Sequence, residues 1–168
     1  LSGCNISSSK TNFGPVLNMS EPVTVALLIP KSVEKTQDIS LSIENAARLA
    51  IADLGNIRID LRVYDTAGSA VVAGQVAQQA VTEGAKIILG PLFAEATNAA
   101  GLAVADEGVN VLSFSNNASI AGGNVFVLGQ TFENTANRLV KFSEAQGKRK
   151  AIIVYTNNVE GEFGKIAL

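Results

Sequence analysis

Residues 85–98 read AKIILGPLFAEATN, and this stretch decides how the rest of the chain is interpreted. The run Ala85–Leu89 is short, apolar and β-branched, which is typical of a strand buried on both faces. Gly90-Pro91 ends this strand, because proline has no amide hydrogen and fixes its own φ. Phe93–Glu107 then follows at helical spacing. A strand that turns into a helix leaves unpaired helix amides at the carboxyl end of the strand. These amides can bind an anion; the alternative is that the turn only connects the two elements.

The composition bounds the size of the fold and its partners. With 168 residues, of which 47% are hydrophobic, the chain can bury the core of one domain or slightly more. The formal charge is -2 and the sequence has no basic stripe, so we expect no nucleic-acid partner. No apolar run approaches the roughly 18 residues that a membrane-spanning helix needs.

Candidate catalytic residues are scarce. Histidine is absent and Cys4 is the one cysteine, which excludes a histidine-based triad, a histidine metal cluster and a CxxC redox pair. The sequence also has no GxGxxG motif and no phosphate-loop spacing, so a nucleotide-using enzyme is the least favoured hypothesis. We therefore predict a protein that is not an enzyme and uses no metal or cofactor.

The first residues resemble a bacterial lipoprotein signature. Leu1-Ser2-Gly3-Cys4 has the aliphatic and small residues of a lipobox, which predicts Cys4 as the lipid attachment site. A stray cysteine in a polar tail is the alternative. Asn5 stands where inner-membrane lipoproteins commonly carry aspartate, so the resemblance favours the outer membrane. Residues 5–21 contain little that could pack and are predicted to be a tether with a reach of roughly 20–25 Å.

Strands and helices alternate from Val23 onward. Strands are predicted at Val23–Ile29, Ile57–Tyr64, Ala85–Leu89, Val109–Phe114, Asn124–Gln130 and Ala151–Tyr155, and helices at Leu41–Leu54, Ser69–Glu83, Phe93–Glu107 and Thr131–Gln146. The helices are each closed by a glycine that suits an αL cap, namely Gly55, Gly84, Gly108 and Gly147. Residues 31–40 are interpreted as a polar loop, and residues 161–167 as an uncapped helical start.

This alternation predicts the fold class. Strands separated by helices imply parallel pairing with right-handed crossovers. We predict a doubly wound, mostly parallel α/β sheet with the flavodoxin-like order 2-1-3-4-5. The strand at residues 57–64 alternates charged and apolar side chains, which suits a sheet edge or a solvated face.

Polar residues that could hold a ligand follow several of the predicted strands. In a doubly wound sheet a ligand binds beyond the carboxyl ends of the strands, near the switch between the first and the third. The candidate ligand-binding residues at this edge are Pro30, Lys31, Ser32, Leu92, Phe93, Ala94, Ser113, Ser115, Asn116 and Asn117. Their hydroxyls and amides could hydrogen-bond a small polar ligand or cap the next loop.

The order of short motifs resembles a known family. The motifs are VALLIP at 25–30, VYDT at 63–66, AVTEGA at 80–85, GPL at 90–92 and VNVLSFS at 109–115. This order resembles the type 1 periplasmic-binding-protein fold of the leucine/isoleucine/valine receptors. Within that fold it is most similar to the lipoproteins called penicillin-binding protein activators. The resemblance covers residues 23–168.

The resemblance implies two lobes around a cleft, without catalysis. Residues 1–21 would be the lipoprotein anchor and tether, 22–130 the first lobe, and 131–168 the start of an incomplete second lobe. The implied function is that of a lipid-anchored periplasmic protein, at the outer rather than the inner membrane, that regulates a peptidoglycan synthase by binding a penicillin-binding protein. The alternative is a lipid-anchored receptor that delivers a branched-chain amino acid, or a similar small polar ligand, to an ABC transporter.

Two departures from the amino-acid receptors bear on that alternative. Ala94 stands where those receptors often place a hydroxyl for the ligand's carboxylate, and Lys31–Glu34 stands where they usually have a Ser-Gly loop. Ser115 and Asn117, in contrast, match positions that contact the ligand's amino group. The resemblance therefore implies a weakened amino-acid site whose backbone amides remain.

Overall fold

The computed structural model of the protein describes residues 14–15, 17–18 and 20–168. The predicted lipid attachment site Cys4 and most of the predicted tether lie outside the described residues. The described strands are β1 (Val23–Ile29), β2 (Ile59–Asp65), β3 (Ile87–Leu89), β4 (Asn110–Ser113) and β5 (Val125–Val127). The described α-helices are α1 (Gln37–Asp53), α2 (Ala70–Thr82), α3 (Ala94–Ala103), α4 (Phe132–Ala145) and α5 (Val159–Ala167).

The sheet confirms the predicted topology. The strands lie in the order β2-β1-β3-β4-β5, and every neighbouring pair is parallel. This arrangement is the doubly wound α/β lobe that the alternation of strands and helices predicts. The cap glycines at 55, 84, 108 and 147 all have positive φ, as predicted.

The charged strand β2 is an edge strand, which also agrees with the prediction. Arg62 forms an ion pair of 2.7 Å with Asp60 on its own strand, and the hydroxyl of Tyr64 donates a hydrogen bond of 2.6 Å to Glu83. Burial and the bond to Glu83 raise the pKa of Tyr64 to about 12. Charged side chains along an edge deter pairing with a foreign strand, so β2 closes this side of the sheet.

The main core lies between the sheet and the helices α2 and α3. It is built mainly from branched apolar side chains of the strands and from alanines of the helices: Leu28, Ile88 and Val111 from the sheet, with Ala77, Ala80 and Ala100 from the helices, and Ala26 and Val104 complete it. Small residues let α2 and α3 lie close to each other and to the strands. Each large apolar side chain that is fully buried here stabilises the fold by about 1.5–3 kcal/mol.

Three sequence predictions of local structure are wrong. No strand forms at Ala151–Tyr155, because no described strand lies beside this segment to share hydrogen bonds. Ile152 and Val154 there are 93% and 91% exposed. Residues 31–40 are not a loop throughout, since a 3₁₀ helix covers Glu34–Thr36 and α1 follows at once. The Thr36 hydroxyl is buried and donates to the Pro30 carbonyl at 3.1 Å, which draws this turn against the end of β1.

The third wrong prediction concerns the last helix. It is capped, because the side-chain oxygen of Asn158 accepts a hydrogen bond of 2.9 Å from the amide of Gly161. Asparagine is a strong N-cap residue, since its side chain satisfies an amide that has no partner inside the helix. The helix therefore begins at Val159, earlier than the predicted residue 161.

Gly90 is the residue that lets β3 end between its neighbours. Its amide donates to the carbonyl of Leu112 at 2.8 Å, and its φ is +89°. A Cβ atom at this position would collide with the backbone carbonyl oxygen of Leu28. The close approach of β3 to β1 at the carboxyl edge therefore requires the missing side chain.

This close approach predicts the effect of substituting Gly90. Gly90→Ala is expected to lower the free energy of unfolding by more than about 3 kcal/mol, because it adds a backbone collision to the cost of positive φ. Gly55→Ala is the matched control, since φ is +60° there and no atom lies within 4 Å of the added Cβ. The control is expected to lose about 1–2 kcal/mol. Urea unfolding followed by circular dichroism measures both, and equal losses would contradict the role of Gly90.

Candidate functional site

The carboxyl edge of the sheet is the candidate functional site. Because all the described strands are parallel, the loops after β1 to β4 meet at this edge. Each predicted ligand-binding residue lies in one of these loops or at the strand end before it, except Ala94, which is the first residue of α3. Pro30–Ser32 follow β1, Leu92–Ala94 follow β3, and Ser113–Asn117 follow β4. We call these segments, together with Asp65 at the end of β2, the rim.

The loop after β1 holds a cation that is already paired. Lys31 forms an ion pair of 2.9 Å with Glu44 of α1, and Glu44 also contacts Arg48 at 2.7 Å. The hydrogen bond from Lys31, followed by the one from Arg48, lowers the pKa of Glu44. Glu44 and Arg48 thus pair across one helical turn. Lys31 is exposed, but its charge is largely balanced at this position.

Asp65 ties the loops after β1 and β2 together. Its Oδ1 atom accepts hydrogen bonds from the amides of Ser32 at 3.3 Å and Ala67 at 2.9 Å. Partial burial alone would raise the pKa of Asp65, but the bonds from Ala67 and Ser32 outweigh it and the pKa is lowered. The carboxylate is therefore committed to holding the backbone of the rim.

The turn after β3 presents backbone donors and one aromatic ring. Phe93 occupies the N-cap position of α3 and accepts a hydrogen bond from the amide of Thr97, while its side chain cannot cap the helix. Phe93 as a whole residue is 40% exposed. A Cβ atom added to Gly68 would lie within 4 Å of the side chains of Val33 and Phe93, so the loops after β1, β2 and β3 come close together here. The amides in the first turn of α3 remain as the donors that the sequence predicts.

The serines after β4 are used inside the protein. Ser113 is fully buried, and its hydroxyl donates to the Pro91 carbonyl at 3.2 Å while accepting from the Ser115 amide at 3.0 Å. Ser115 is also buried, and its hydroxyl accepts from the amide of Asn117 at 3.1 Å. Asn117 in turn accepts from the amide of Ser119 at 3.0 Å. These hydroxyls shape the loop, and any ligand would meet mainly its outer face.

A cavity of about 210 Å³ opens where this loop meets the helices α4 and α5. It is lined by polar residues of the loop and by apolar residues of the two helices: Asn116, Asn117, Ala118, Ser119, Thr131, Phe132, Glu133, Phe163, Ile166 and Ala167. Of the predicted ligand-binding residues, Asn116 and Asn117 line this cavity and the others do not. The predicted set is therefore divided between the cavity and the rest of the rim.

Sequence analysis missed several lining residues of the cavity. Thr131 caps α4 by accepting from the amide of Asn134 at 3.2 Å, and the sequence shows it only as a helix start. Phe163 and Ile166 lie one helical turn apart on α5, a spacing that could have marked an apolar face. No local signal indicates that this face lies beside the loop after β4, because that contact depends on tertiary packing.

The described residues contain no group of three or more acidic or cysteine side chains that could hold a metal ion. Among the described helices, none has both the length and the apolar character needed to cross a bilayer. The cavity lining includes the carboxylate of Glu133 but no lysine or arginine. What the arrangement offers chemically is hydrogen bonding and apolar contact.

A parallel lobe with polar loops gathered at the carboxyl edge of the sheet is typical of ligand-binding α/β proteins with a doubly wound sheet. Residues 22–165 match the family described as "Periplasmic binding protein", and the chain belongs to that family. No curated protein matches the sequence significantly. The predicted resemblance to the type 1 periplasmic-binding-protein fold is thereby confirmed.

Solved structures agree with this assignment. A substrate-binding protein of an ABC transporter from Desulfitobacterium hafniense, in complex with Leu, superposes with a TM-score of 0.65 at 18% identity, over 88% of this chain and 46% of that one. LpoA from Haemophilus influenzae superposes with a TM-score of 0.67 at 21% identity, over 89% of this chain and 27% of its own.

A third structure is a solute-binding protein from Rhodopseudomonas palustris in complex with 3,4-dihydroxy benzoic acid. Its TM-score is 0.72 at 17% identity, over 87% of this chain and 42% of that one. The chain thus spans less than half the length of each of these three structures. Likeness at these identities establishes the fold of the lobe.

The bonds around Asp65 predict a pH-dependent stability. Its pKa is lowered in the folded protein, so its contribution is complete above the unfolded pKa of about 3.9 and is lost as the pH falls through the folded value. Asp65→Asn is expected to lose about 1–2 kcal/mol at pH 7, because neutral amide oxygen is a weaker acceptor for the two backbone amides.

Urea unfolding at pH 7, 5 and 3 measures this difference between the original protein and the variant. The difference in unfolding free energy is expected to narrow as the pH falls toward 3, where the carboxyl group begins to protonate. Asp53→Asn, at the exposed end of α1, is the control and is expected to show no such gap. A gap for Asp65→Asn that stays constant across this range would contradict the assignment.

Proposed function

We propose that the protein is a non-enzymatic component of the bacterial cell envelope that binds and regulates a peptidoglycan synthase of the penicillin-binding protein class. The observation that carries the proposal is that several polar side chains of the rim already form hydrogen bonds or ion pairs with other groups of the protein. Lys31 is paired with Glu44, and the hydroxyls of Ser113 and Ser115 hold backbone amides. Such a rim is a fixed surface suited to a partner protein.

The cavity beside the rim fits an amino acid poorly, which supports the same proposal. A bound amino acid needs partners for both its carboxylate and its ammonium group. The described lining offers Glu133 for an ammonium group but no cationic side chain for a carboxylate.

The exposed ring of Phe93 is the proposed anchor for the partner. It lies at the start of α3, close to Val33 and Gly68. Aromatic residues at the centre of an interface commonly carry much of the binding free energy. The likeness to LpoA and the motifs shared with penicillin-binding protein activators support this choice of partner.

Solute binding for an ABC transporter is the second candidate function. The observation that favours it is the placement of Asn116, Asn117 and Thr131 around the cavity, with two aromatic rings in the same lining. Amide and hydroxyl groups beside aromatic rings are a common way to hold a small polar ligand. Two of the solved structures of similar fold are complexes with Leu and with 3,4-dihydroxy benzoic acid.

The proposal also includes the division of the chain into lobes and its place in the cell envelope. Residues 22–130 would form the first lobe and residues 131–168 the start of the second, with Cys4 anchoring the protein in the outer membrane from the periplasmic side. The family to which the chain belongs is that of periplasmic binding proteins. The exposed apolar side chains of Leu139, Phe142 and Ile152 support a further lobe that would cover them.

Calorimetry distinguishes the two candidate functions. The unlipidated full-length protein is titrated with the periplasmic part of a bifunctional penicillin-binding protein in one experiment and with leucine in another. We expect a saturable heat with the synthase and none with leucine. Micromolar binding of leucine with no heat from the synthase would overturn the proposal and support the transport function.

The same titration tests the proposed anchor. Phe93→Ala is expected to weaken binding of the synthase by roughly tenfold or more, as loss of a central aromatic contact does. Leu102→Ala is the matched control, because Leu102 lies on the same helix with 71% of its surface exposed. Equal affinities of the two variants would place the docking surface elsewhere on the protein.

A further inference from the structure

We infer that Thr97 and Ser113 are positioning residues, whose buried hydroxyls lock the loop at residues 115–117 against the turn after β3. The importance of this lock rests on the proposed function, because the loop belongs to the proposed binding rim. The inference itself concerns the contact between α3 and the end of β4. Among the described residues, the hydrogen bond between Thr97 and Ser113 is the one that joins these two elements through side-chain hydroxyls.

The geometry joins two elements that are distant in sequence. The Oγ1 atom of Thr97, on α3, lies 2.7 Å from the Oγ atom of Ser113, at the end of β4. Both side chains have no exposed surface. Ser113 also donates to the Pro91 carbonyl and accepts from the Ser115 amide, at 3.2 and 3.0 Å. The pair therefore connects the helix, the turn and the loop at one buried point.

Each hydroxyl proton of Thr97 and Ser113 has an acceptor within hydrogen-bond distance. Each hydroxyl has one proton to donate and can accept at least one hydrogen bond. If Thr97 donates to Ser113, then Ser113 donates to Pro91, which also accepts from the amide of Phe114 at 3.0 Å. If Thr97 donates to the Phe93 carbonyl at 2.9 Å, then Ser113 can donate to Thr97 instead of to Pro91. Both arrangements leave the oxygen of Ser113 able to accept from Ser115.

The simpler interpretation is that Thr97 only bonds to its own helix. Threonine often donates to the carbonyl four residues earlier, and Thr97 is placed to do so with Phe93. Thr82 on α2 makes that same local bond to Gln78 at 2.9 Å, but it is exposed. The two threonines share the local bond and differ in burial and in the cross-contact, so Thr82 is a control for loss of the local bond.

Amide hydrogen exchange, measured by NMR on the full chain, tests the lock without any ligand. Ser113→Ala is expected to speed exchange of the Ser115 amide by roughly tenfold, because this buried donor loses its acceptor. Thr97→Val is expected to speed it several-fold, and Thr97→Ser to restore it by keeping the hydroxyl. Thr82→Val is expected to leave it unchanged.

The amide of Ile88 in the central strand serves as an internal reference, since it reports opening of the whole sheet. Faster exchange at Ser115 with unchanged exchange at Ile88 is the expected result. Equal acceleration at both amides, or no rescue by Thr97→Ser, would overturn the inference and leave these residues with a general role in stability.

Binding of the periplasmic synthase fragment gives the second readout. We expect weaker binding by Ser113→Ala and Thr97→Val, and restored binding by Thr97→Ser. If the original protein does not bind the fragment, the proposed function fails while the exchange experiment still decides the positioning role. Unchanged binding despite a loosened loop would overturn the role of the lock in docking.

Discussion

The sheet, and the gathering of loops at its carboxyl edge, depend on the parallel pairing of β3 with β1 on one side and with β4 on the other. β3 has only three residues, yet it joins the two halves of the sheet, and Ile88 at its centre is completely buried. Parallel strands require that each connection cross back over the sheet, so the loops after the strands meet at one edge. Gly90 permits this by lacking the side chain that would collide with Leu28.

The rim is built mainly from hydrogen bonds between loops that follow different strands. Asp65 joins the loops after β1 and β2, while Ser113 joins the turn after β3 to the loop after β4. A surface whose polar groups are already satisfied needs little rearrangement when a partner binds. The same engagement leaves fewer donors and acceptors for a small polar solute. This balance is the physical basis for favouring a protein partner over a transported ligand.

Local patterns were sufficient for most of the fold. Continuous apolar runs predict β1 and β3, small residues at helical spacing predict α3, and the cap glycines mark where the chain turns back. The segment at residues 151–155 shows where such patterns fail. Its side chains favour a strand, but strand formation requires a neighbouring strand, and none is adjacent in the described part of the chain.

The candidate site was only partly predictable for a related reason. Topology alone places Ser113, Ser115 and Asn117 at the carboxyl edge, as the sequence indicates. Whether their polar side-chain groups face a ligand or the protein depends on burial, which neighbouring elements determine. Thr97 illustrates this point, because its role is invisible until α3 packs against β4.

The sequence by itself determined the class of fold, the order of its strands and the edge at which the polar loops gather. These features follow from the periodicity and the turn residues of short segments. Tertiary structure alone decided which of those polar groups are buried, which pair with one another, and how the cavity between the loop and the helices α4 and α5 is lined. Hydrogen bonds such as that between Thr97 and Ser113 join residues far apart in sequence, and only the packed fold brings them within reach.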